Sequence, residues 1–93
     1  MKKIKLAITG CMGRMGQQII KSAKSNKNFA ITVITENRLI NKKINGIKIS
    51  LNDEKALNKA DVIIDFTIPK CTFEVLKIAS KLKKSCYRNN WFY

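Results

Sequence analysis

Histidine is missing from this 93-residue chain, and acidic groups are scarce, with 6 Asp and Glu against 19 Lys and Arg. Without histidine the usual zinc ligand sets cannot be built. Cysteine does not replace it. Cys11, Cys71 and Cys86 are odd in number, and their spacing matches neither a metal-ligand nor a thioredoxin-like pattern. Free thiols, buried or half-buried, in a reducing compartment are expected instead, and no metal site is assigned. Long apolar runs are missing too. No stretch approaches the roughly 20 residues needed to cross a bilayer. The basic segment Met1–Lys5 is not followed by an apolar segment long enough for a signal peptide. These absences predict a cytoplasmic chain with no membrane partner. Proline occurs once and glycine 4 times; no low-complexity linker or internal repeat divides the chain.

A formal net charge of +13 raises the question of nucleic acid. The lysines, however, are scattered over positions expected on solvated helix faces and loops, from Lys2 and Lys21 to Lys59 and Lys84. Abundant isoleucine, lysine and asparagine is what a very AT-rich coding sequence favours. A nucleic-acid partner is therefore not expected. A basic nucleic-acid-binding protein stays as an alternative that needs lysines clustered on one surface and salt-dependent affinity. The apolar content of 45 % is ordinary for a globular chain. The length allows one small domain or part of a larger one.

Ile4–Thr9 is mostly apolar without helical periodicity and fits a strand covered on both faces. After a glycine-rich break, Met15, Ile19 and Ala23, with Ile20 beside them, share one helical face through about Lys24. Phe29–Thr35 is rich in β-branched residues and reads as a second strand, with Glu36 just past its end. Asn37–Lys48 is poor in order signals apart from a short strand around Ile47. Ser50–Asp53 has a capping pattern ahead of a short helix through about Asn58. Asp61–Phe66 is the clearest central strand. Pro69 then suits a first helical turn, and Phe73, Leu76, Ala79 and Leu82 carry a helix over Lys70–Lys83. Ser85–Cys86 starts another strand, whereas Tyr87–Tyr93 is not strand-like. The order predicts an α/β fold: a Rossmann-like parallel sheet with flanking helices, incomplete after about three strands.

The chemistry lies in Gly10-Cys11-Met12-Gly13-Arg14-Met15-Gly16, a G-x-x-G-x-x-G turn between strand and helix. Gly10 permits the tight exit from the strand, Gly13 removes a Cβ that would hold a pyrophosphate off the backbone, and Gly16 allows close helix packing. N–H groups around Gly13 to Met15 lack helical partners and face an anion, and Arg14 adds a charged donor. Glu36 stands 20 residues after Gly16, where an acid accepts from adenosine ribose hydroxyls. A Walker A loop is excluded because no Gly-Lys-Ser/Thr follows. Arg38, with Lys42 and Lys43, would meet the 2′-phosphate of NADP, and Glu36 would repel it, so NAD(H) and NADP(H) both stay open. Phe66 and Thr67 end the central strand on the ligand edge and would border the nicotinamide; Thr67 as a helix cap before Pro69 is the other reading. Asp65 reads as a structural acceptor for loop N–H groups, and Cys11 as packing.

These residues resemble the N-terminal, cofactor-binding part of the dihydrodipicolinate reductase family of lysine and diaminopimelate biosynthesis. The resemblance rests on Ile8–Gly16 with its G-x-x-G-R-M-G loop, on Glu36, and on Ala60–Pro69 as a D-V-x-I-D-F-T-x-P segment. It runs from Lys3 to about Cys86. It implies pyrophosphate contacts from Gly13, Arg14 and Met15, a ribose contact from Glu36, and nicotinamide contacts from Phe66 and Thr67. The position of Asn37 is often arginine in the family and meets the 2′-phosphate; here Arg38 is adjacent. Ile68 stands where the family often has arginine or another, variable residue. The implied reaction is reduction of 4-hydroxy-tetrahydrodipicolinate by NADH or NADPH.

Past Cys86 the resemblance stops. The family continues with Val-Ile-Gly-Thr-Thr-Gly-Phe, and codons compatible with Cys86–Tyr93 encode that segment in the next frame. The expectation is a partial dinucleotide-binding domain over 1–86 and an out-of-frame tail over 87–93. The family's catalytic, tetramer-forming domain is expected to be absent. On this reading the chain carries no catalytic residue, forms no family-type tetramer and is inactive alone. A non-catalytic NAD(H)-binding module is the alternative.

Overall fold

The computed structural model describes residues 3–67 and 69–88. Ile68 and the stretch from Asn89 onward, including most of the expected out-of-frame tail, lie outside the described residues, as do Met1 and Lys2 of the N-terminal basic segment.

Alternation of apolar side chains along the first strand sets the architecture. In β1 (Ile4–Thr9), Leu6 and Ile8 point to one side of the sheet and Ala7 to the other, and all three are buried. α1 (Arg14–Lys24) packs on the Leu6/Ile8 side, where Ile20 is buried and Ile19 and Ala23 half-buried beside Ile34 and Ile49. The opposite face joins Ala7, Val33 and Ile63 to Leu57, Val75 and Ala79. Those last residues come from α2 (Glu54–Leu57) and α3 (Pro69–Leu82). A strand sandwiched in this way carries apolar side chains on both faces, which is why Ile4–Thr9 shows no polar alternation.

Among the described residues the sheet has 6 strands in the order β3-β4-β2-β1-β5-β6: the three central runs, the strands expected around Ile47 and from Ser85, and one more over Lys43–Ile44 that the sequence reading does not contain. β2 (Phe29–Glu36) and β5 (Val62–Asp65) flank β1, both parallel to it. β4 (Ile47–Leu51) runs parallel beside β2, and β6 (Ser85–Arg88) parallel beside β5. Among the described residues only β3 (Lys43–Ile44) is antiparallel, joined to β4 by Asn45-Gly46. Both turn residues have positive φ, 51° and 80°, the backbone of a type I′ hairpin. The Asn-Gly pair is the signal for this hairpin, and the basic, polar flanks obscured it. Tyr87 and Arg88 correct the sequence reading at the other edge: they pair with Ile64 and Asp65 as part of β6. Their backbone completes a ladder although the side-chain pattern at a sheet edge need not alternate.

α3 carries another correction. Phe73 and Leu76 fit the helical spacing but are 72 % and 43 % exposed, while Thr72, Val75 and Ala79 face the core. The expected stripe holds at Ala79 and Leu82, which meet the core, and is displaced by one residue in the first half of the helix, where Thr72 and Val75 take the place of Phe73 and Leu76. The capping pattern of Ser50–Asp53 resolves onto its last residue: Ser50 lies in β4, and Asp53 is the N-cap of α2, its Oδ1 accepting from the Ala56 N–H at 2.8 Å. α3 ends at Leu82; the next residue, Lys83, has a φ of 57° and turns the chain so that the Lys84 N–H donates to Ala79 O at 2.9 Å. No helix of the described residues is long and apolar enough to cross a membrane.

Ile63 is fully buried at the centre of the α2/α3 side. Ile63→Ala is expected to remove about 2–5 kcal/mol of stability in urea unfolding. Leu39→Ala, on a side chain 80 % exposed, should change it by less than about 0.5 kcal/mol.

Candidate functional site

In this sheet the connection leaving β1 goes to β2 on one side, and β5 lies on the other. Ligands of open parallel sheets bind beyond the carboxyl ends of the strands at such a point. Gly10 follows β1 there and Phe66-Thr67 follows β5. A cavity of about 200 Å³ opens between them, lined by Gly10, Gly13, Glu36, Asn37, Phe66, Thr67 and Cys71. A second hollow of about 360 Å³ shares Asn37 and Cys71 and runs on to Leu51, Asn52, Asp53 and Glu74. Together they form a crevice along the carboxyl edge of β4, β2, β1 and β5. A larger groove of about 450 Å³ lies elsewhere, between α1 and the open face of β5 and β6, lined by Leu6, Ile19, Val62, Ile64 and Tyr87 among others. It is almost wholly apolar and lacks convergent polar groups, so the crevice at the carboxyl edge is the better candidate.

The glycine turn is built by backbone proximity. Gly10 has a φ of 69°, and a Cβ there would sit 2.7 Å from both the carbonyl carbon and the oxygen of Phe66. Gly16 is closer still to its own turn: a Cβ would lie 2.5 Å from Gly10 O and 3.0 Å from Cys11 Cα. Gly16 therefore lets α1 fold back onto the turn, a tighter fit than the helix–sheet packing that sequence suggested. A Cβ on Gly13 would meet only Gly10 O, at 3.4 Å, which is ordinary contact. Nothing inside the protein demands glycine at 13.

Hydrogen bonds then fix the turn. The Gly10 and Cys11 N–H groups donate to Thr35 O at 3.0 and 3.2 Å, and the Gly13 N–H donates to Gly10 O at 3.1 Å. Glu36 Oε2 accepts from the Met12 N–H at 2.7 Å. The Gly13 N–H is thus committed within the turn. The open donors at the start of α1 begin at Arg14. Gly13 as N-cap offers no side-chain cap, and the first turn holds no acidic residue. Nothing within α1 itself offsets the positive end of the helix; the acid beside it is Glu36, bound to the Met12 N–H.

The remaining residues singled out from sequence take several places. Glu36 and Asn37 line the crevice, as do Phe66 and Thr67. Arg14 is exposed at the first residue of α1, Met15 is half-buried behind it, and Gly16 is buried. Arg38 is exposed beyond β2, and Lys43 lies out on the β3 edge, paired with Lys48. Thr67 does not stand as a free hydroxyl at the strand end: it donates to Asp65 Oδ1 at 2.6 Å. Asp65 is fully buried and accepts the Thr67 N–H, as expected of a structural acceptor. Cys71 was not foreseen as a lining residue. Asn37 Nδ2 approaches its sulfur at 3.5 Å. Its place in the first turn of the helix after β5 is the signal that would have found it. At the neighbouring strand ends the Thr35 hydroxyl donates to Asn52 Oδ1.

Cys11 is fully buried. Burial, and secondarily the Glu36 carboxylate, push its thiol up from 9.0 to about 11. Cys86 rises likewise to about 11, through burial and then Asp65. Both are protonated packing groups near neutrality. Among the described residues no cluster of His, Cys, Asp or Glu can hold a metal ion.

The Gly16 and cysteine geometries have measurable consequences. Gly16→Ala is expected to cost about 1–3 kcal/mol in urea unfolding because the new methyl meets backbone. Gly13→Ala should cost under about 1 kcal/mol. A thiol with a pKa of about 11 is only about 0.1 % thiolate at pH 8. Alkylation of Cys11, followed by mass spectrometry, should therefore be negligible at that pH. In the unfolded chain these thiols ionise first, so stability should fall as pH rises between about 9 and about 11.

The family model described as dihydrodipicolinate reductase, N-terminus, matches residues 4–86. The 4-hydroxy-tetrahydrodipicolinate reductase of Pelagibacter ubique (strain HTCC1062) is 67 % identical over 84 residues, covering 90 % of this chain and 33 % of that protein. The enzyme of the same name from Buchnera aphidicola subsp. Acyrthosiphon pisum (strain 5A) is 39 % identical over 95 residues, covering 90 % and 35 %. The chain thus spans about one third of the length of the curated relatives it matches. Among solved structures, dipicolinate-bound dihydrodipicolinate reductase from Paenisporosarcina sp. TG-14 superposes with a TM-score of 0.78 at 20 % identity, over 96 % of this chain and 38 % of that one. A Rex-family repressor gives 0.81 at 18 % identity, over 94 % and 45 %. At such identities these two show the fold alone, which is Rossmann-like. With its glycine turn, its Asp65-Phe66-Thr67 strand end and a family match spanning most of its length, the chain belongs to the dihydrodipicolinate reductase family, as that family's N-terminal part.

Proposed function

We propose that this chain binds a nicotinamide dinucleotide, NAD(H) or NADP(H), along the carboxyl edge of its sheet. It would serve as the cofactor-holding part of a reductase of lysine and diaminopimelate biosynthesis that converts 4-hydroxy-tetrahydrodipicolinate to tetrahydrodipicolinate. A cytoplasmic location goes with that role. The observation that carries the reading is the meeting of Gly10 with Phe66-Thr67 at the strand switch point, with Glu36 lining the same cavity.

The residues present fit the cofactor. The uncapped start of α1 would hold the pyrophosphate, with the Arg14 and Met15 N–H groups as donors and the Arg14 guanidinium as positive charge. Bare Gly13 lets the phosphate oxygens approach. Glu36 spends one carboxylate oxygen on the Met12 N–H and turns the other to the adenosine ribose. The adenosine half follows the crevice past Asn37 toward Leu51 and Asn52. The nicotinamide half rests on Phe66 and Thr67. When bound, the nicotinamide supplies the hydride. Arg38 is the cation beside Glu36 suited to a 2′-phosphate, while Glu36, Asp53 and Glu74 around the crevice favour its absence.

Hydride transfer also needs a substrate held against the ring. Of the charged groups lining the crevice, Glu36 is engaged by the turn and Asp53 by the α2 cap, which leaves the exposed carboxylate of Glu74. The chain has no histidine. On this reading it holds cofactor without turnover by itself.

Fluorescence titration of the purified chain with NADH and with NADPH tests the proposal. Saturable binding is expected. Glu36→Ala should weaken NADH by about tenfold or more, and Arg38→Ala should weaken NADPH more than NADH. No consumption of NADH is expected when 4-hydroxy-tetrahydrodipicolinate is added. A basic nucleic-acid-binding function would show instead as salt-dependent affinity for duplex DNA without dinucleotide binding.

A further inference from the structure

Two separate frameworks hold the two walls of the crevice. The glycine turn hangs from β2, through Thr35 O and the Glu36 carboxylate. The Phe66-Thr67 wall is held from the other side, by Asp65 at the end of β5. Asp65 Oδ1 accepts from the Thr9 hydroxyl at 2.6 Å, the Thr67 hydroxyl at 2.6 Å and the Thr67 N–H at 3.1 Å. Its Oδ2 accepts from the Thr72 hydroxyl at 2.6 Å. One carboxylate therefore gathers the end of β1, the loop after β5 and the first turn of α3 at a single point. The bond to the N–H two residues on is an Asx turn, which sets the course of the Phe66-Thr67 peptide. From the far side Gly10 presses on the same peptide.

A fully buried carboxylate is costly unless its lone pairs are satisfied. Here they are, and no buried side-chain polar atom among the described residues lacks a partner. An apolar side chain would fill the same space but could not fix three elements at hydrogen-bond distances. The crevice lining does not include Asp65 itself. It acts on the site only through Thr67, Phe66 and Thr72.

We propose that Asp65 is a positioning residue: without touching the ligand, its carboxylate sets the Phe66-Thr67 wall against which the nicotinamide half of the dinucleotide rests. The inference rests on the dinucleotide reading above and deepens it. It divides the site into a β2-framed half for adenosine and pyrophosphate and an Asp65-framed half for nicotinamide. Damage to Asp65 should then be felt by one half of the ligand.

ADP-ribose keeps the adenosine and pyrophosphate of NADH but lacks the nicotinamide, so the two affinities separate the two walls. Calorimetric titration of the chain with each ligand is compared for the unaltered protein, Asp65→Asn and Thr72→Val. The unaltered chain should bind NADH more tightly than ADP-ribose. In each variant the NADH Kd should rise about tenfold while the ADP-ribose Kd moves by less than about twofold. A general loss of structure would weaken both ligands together; that result, or an unchanged NADH affinity in both variants, overturns the proposal. If Asp65→Asn fails to fold, Thr72→Val keeps the carboxylate, removes one hydroxyl and decides by the same comparison. An unaltered chain that binds both ligands equally overturns this inference alone. One that binds neither overturns the dinucleotide reading and this inference with it.

Discussion

The architecture turns on a place where three stretches of backbone lie closer than any side chain would allow. Gly10 rests against the Phe66-Thr67 peptide, and Gly16 brings the first helix down onto Gly10. These approaches close β1 and β5 at their carboxyl ends and aim the start of α1 at the gap between them. Enlarging either glycine pushes backbone against backbone, which cannot yield as a flexible side chain can. The crevice, the electropositive helix end and the wall facing it all inherit their positions from this contact.

Polar groups then lock what the glycines bring together. Glu36 reaches across from β2 to the Met12 N–H, and Asp65 gathers Thr9, Thr67 and Thr72. Each acid stands at the last residue of its strand, on opposite sides of β1. The apolar layers beneath supply the rigid support: Leu6 and Ile8 against α1, Ala7 and Ile63 against α2 and α3. The site belongs to the sheet's edge, and its stiffness belongs to the two cores under it.

The central part of this arrangement was legible from local pattern. Ile4–Thr9, Phe29–Thr35 and Asp61–Phe66 are mostly apolar because both faces of those strands are largely covered, Lys5, Thr32 and Asp61 being the exposed interruptions. The helices showed through spacing. Edge elements were not legible in the same way. Lys43-Ile44 is too short to show a period, and Tyr87-Arg88 takes its strand form from pairing with β5. Phe73 and Leu76 misled because spacing identifies a helix but leaves its buried stripe uncertain by one residue.

The order of residues alone determined the strand–turn–helix at Gly10–Gly16, the acid at 36 and the Asp-Phe-Thr strand end, and with them the family. Those are local features, set by neighbours a few positions apart. Only the tertiary structure decided that Glu36 closes the turn, that Gly16 packs on Gly10, that Cys71 joins the crevice and that Asp65 ties three elements together. Each of those depends on residues distant in the chain meeting at one end of a sheet, and no short-range pattern encodes that distance.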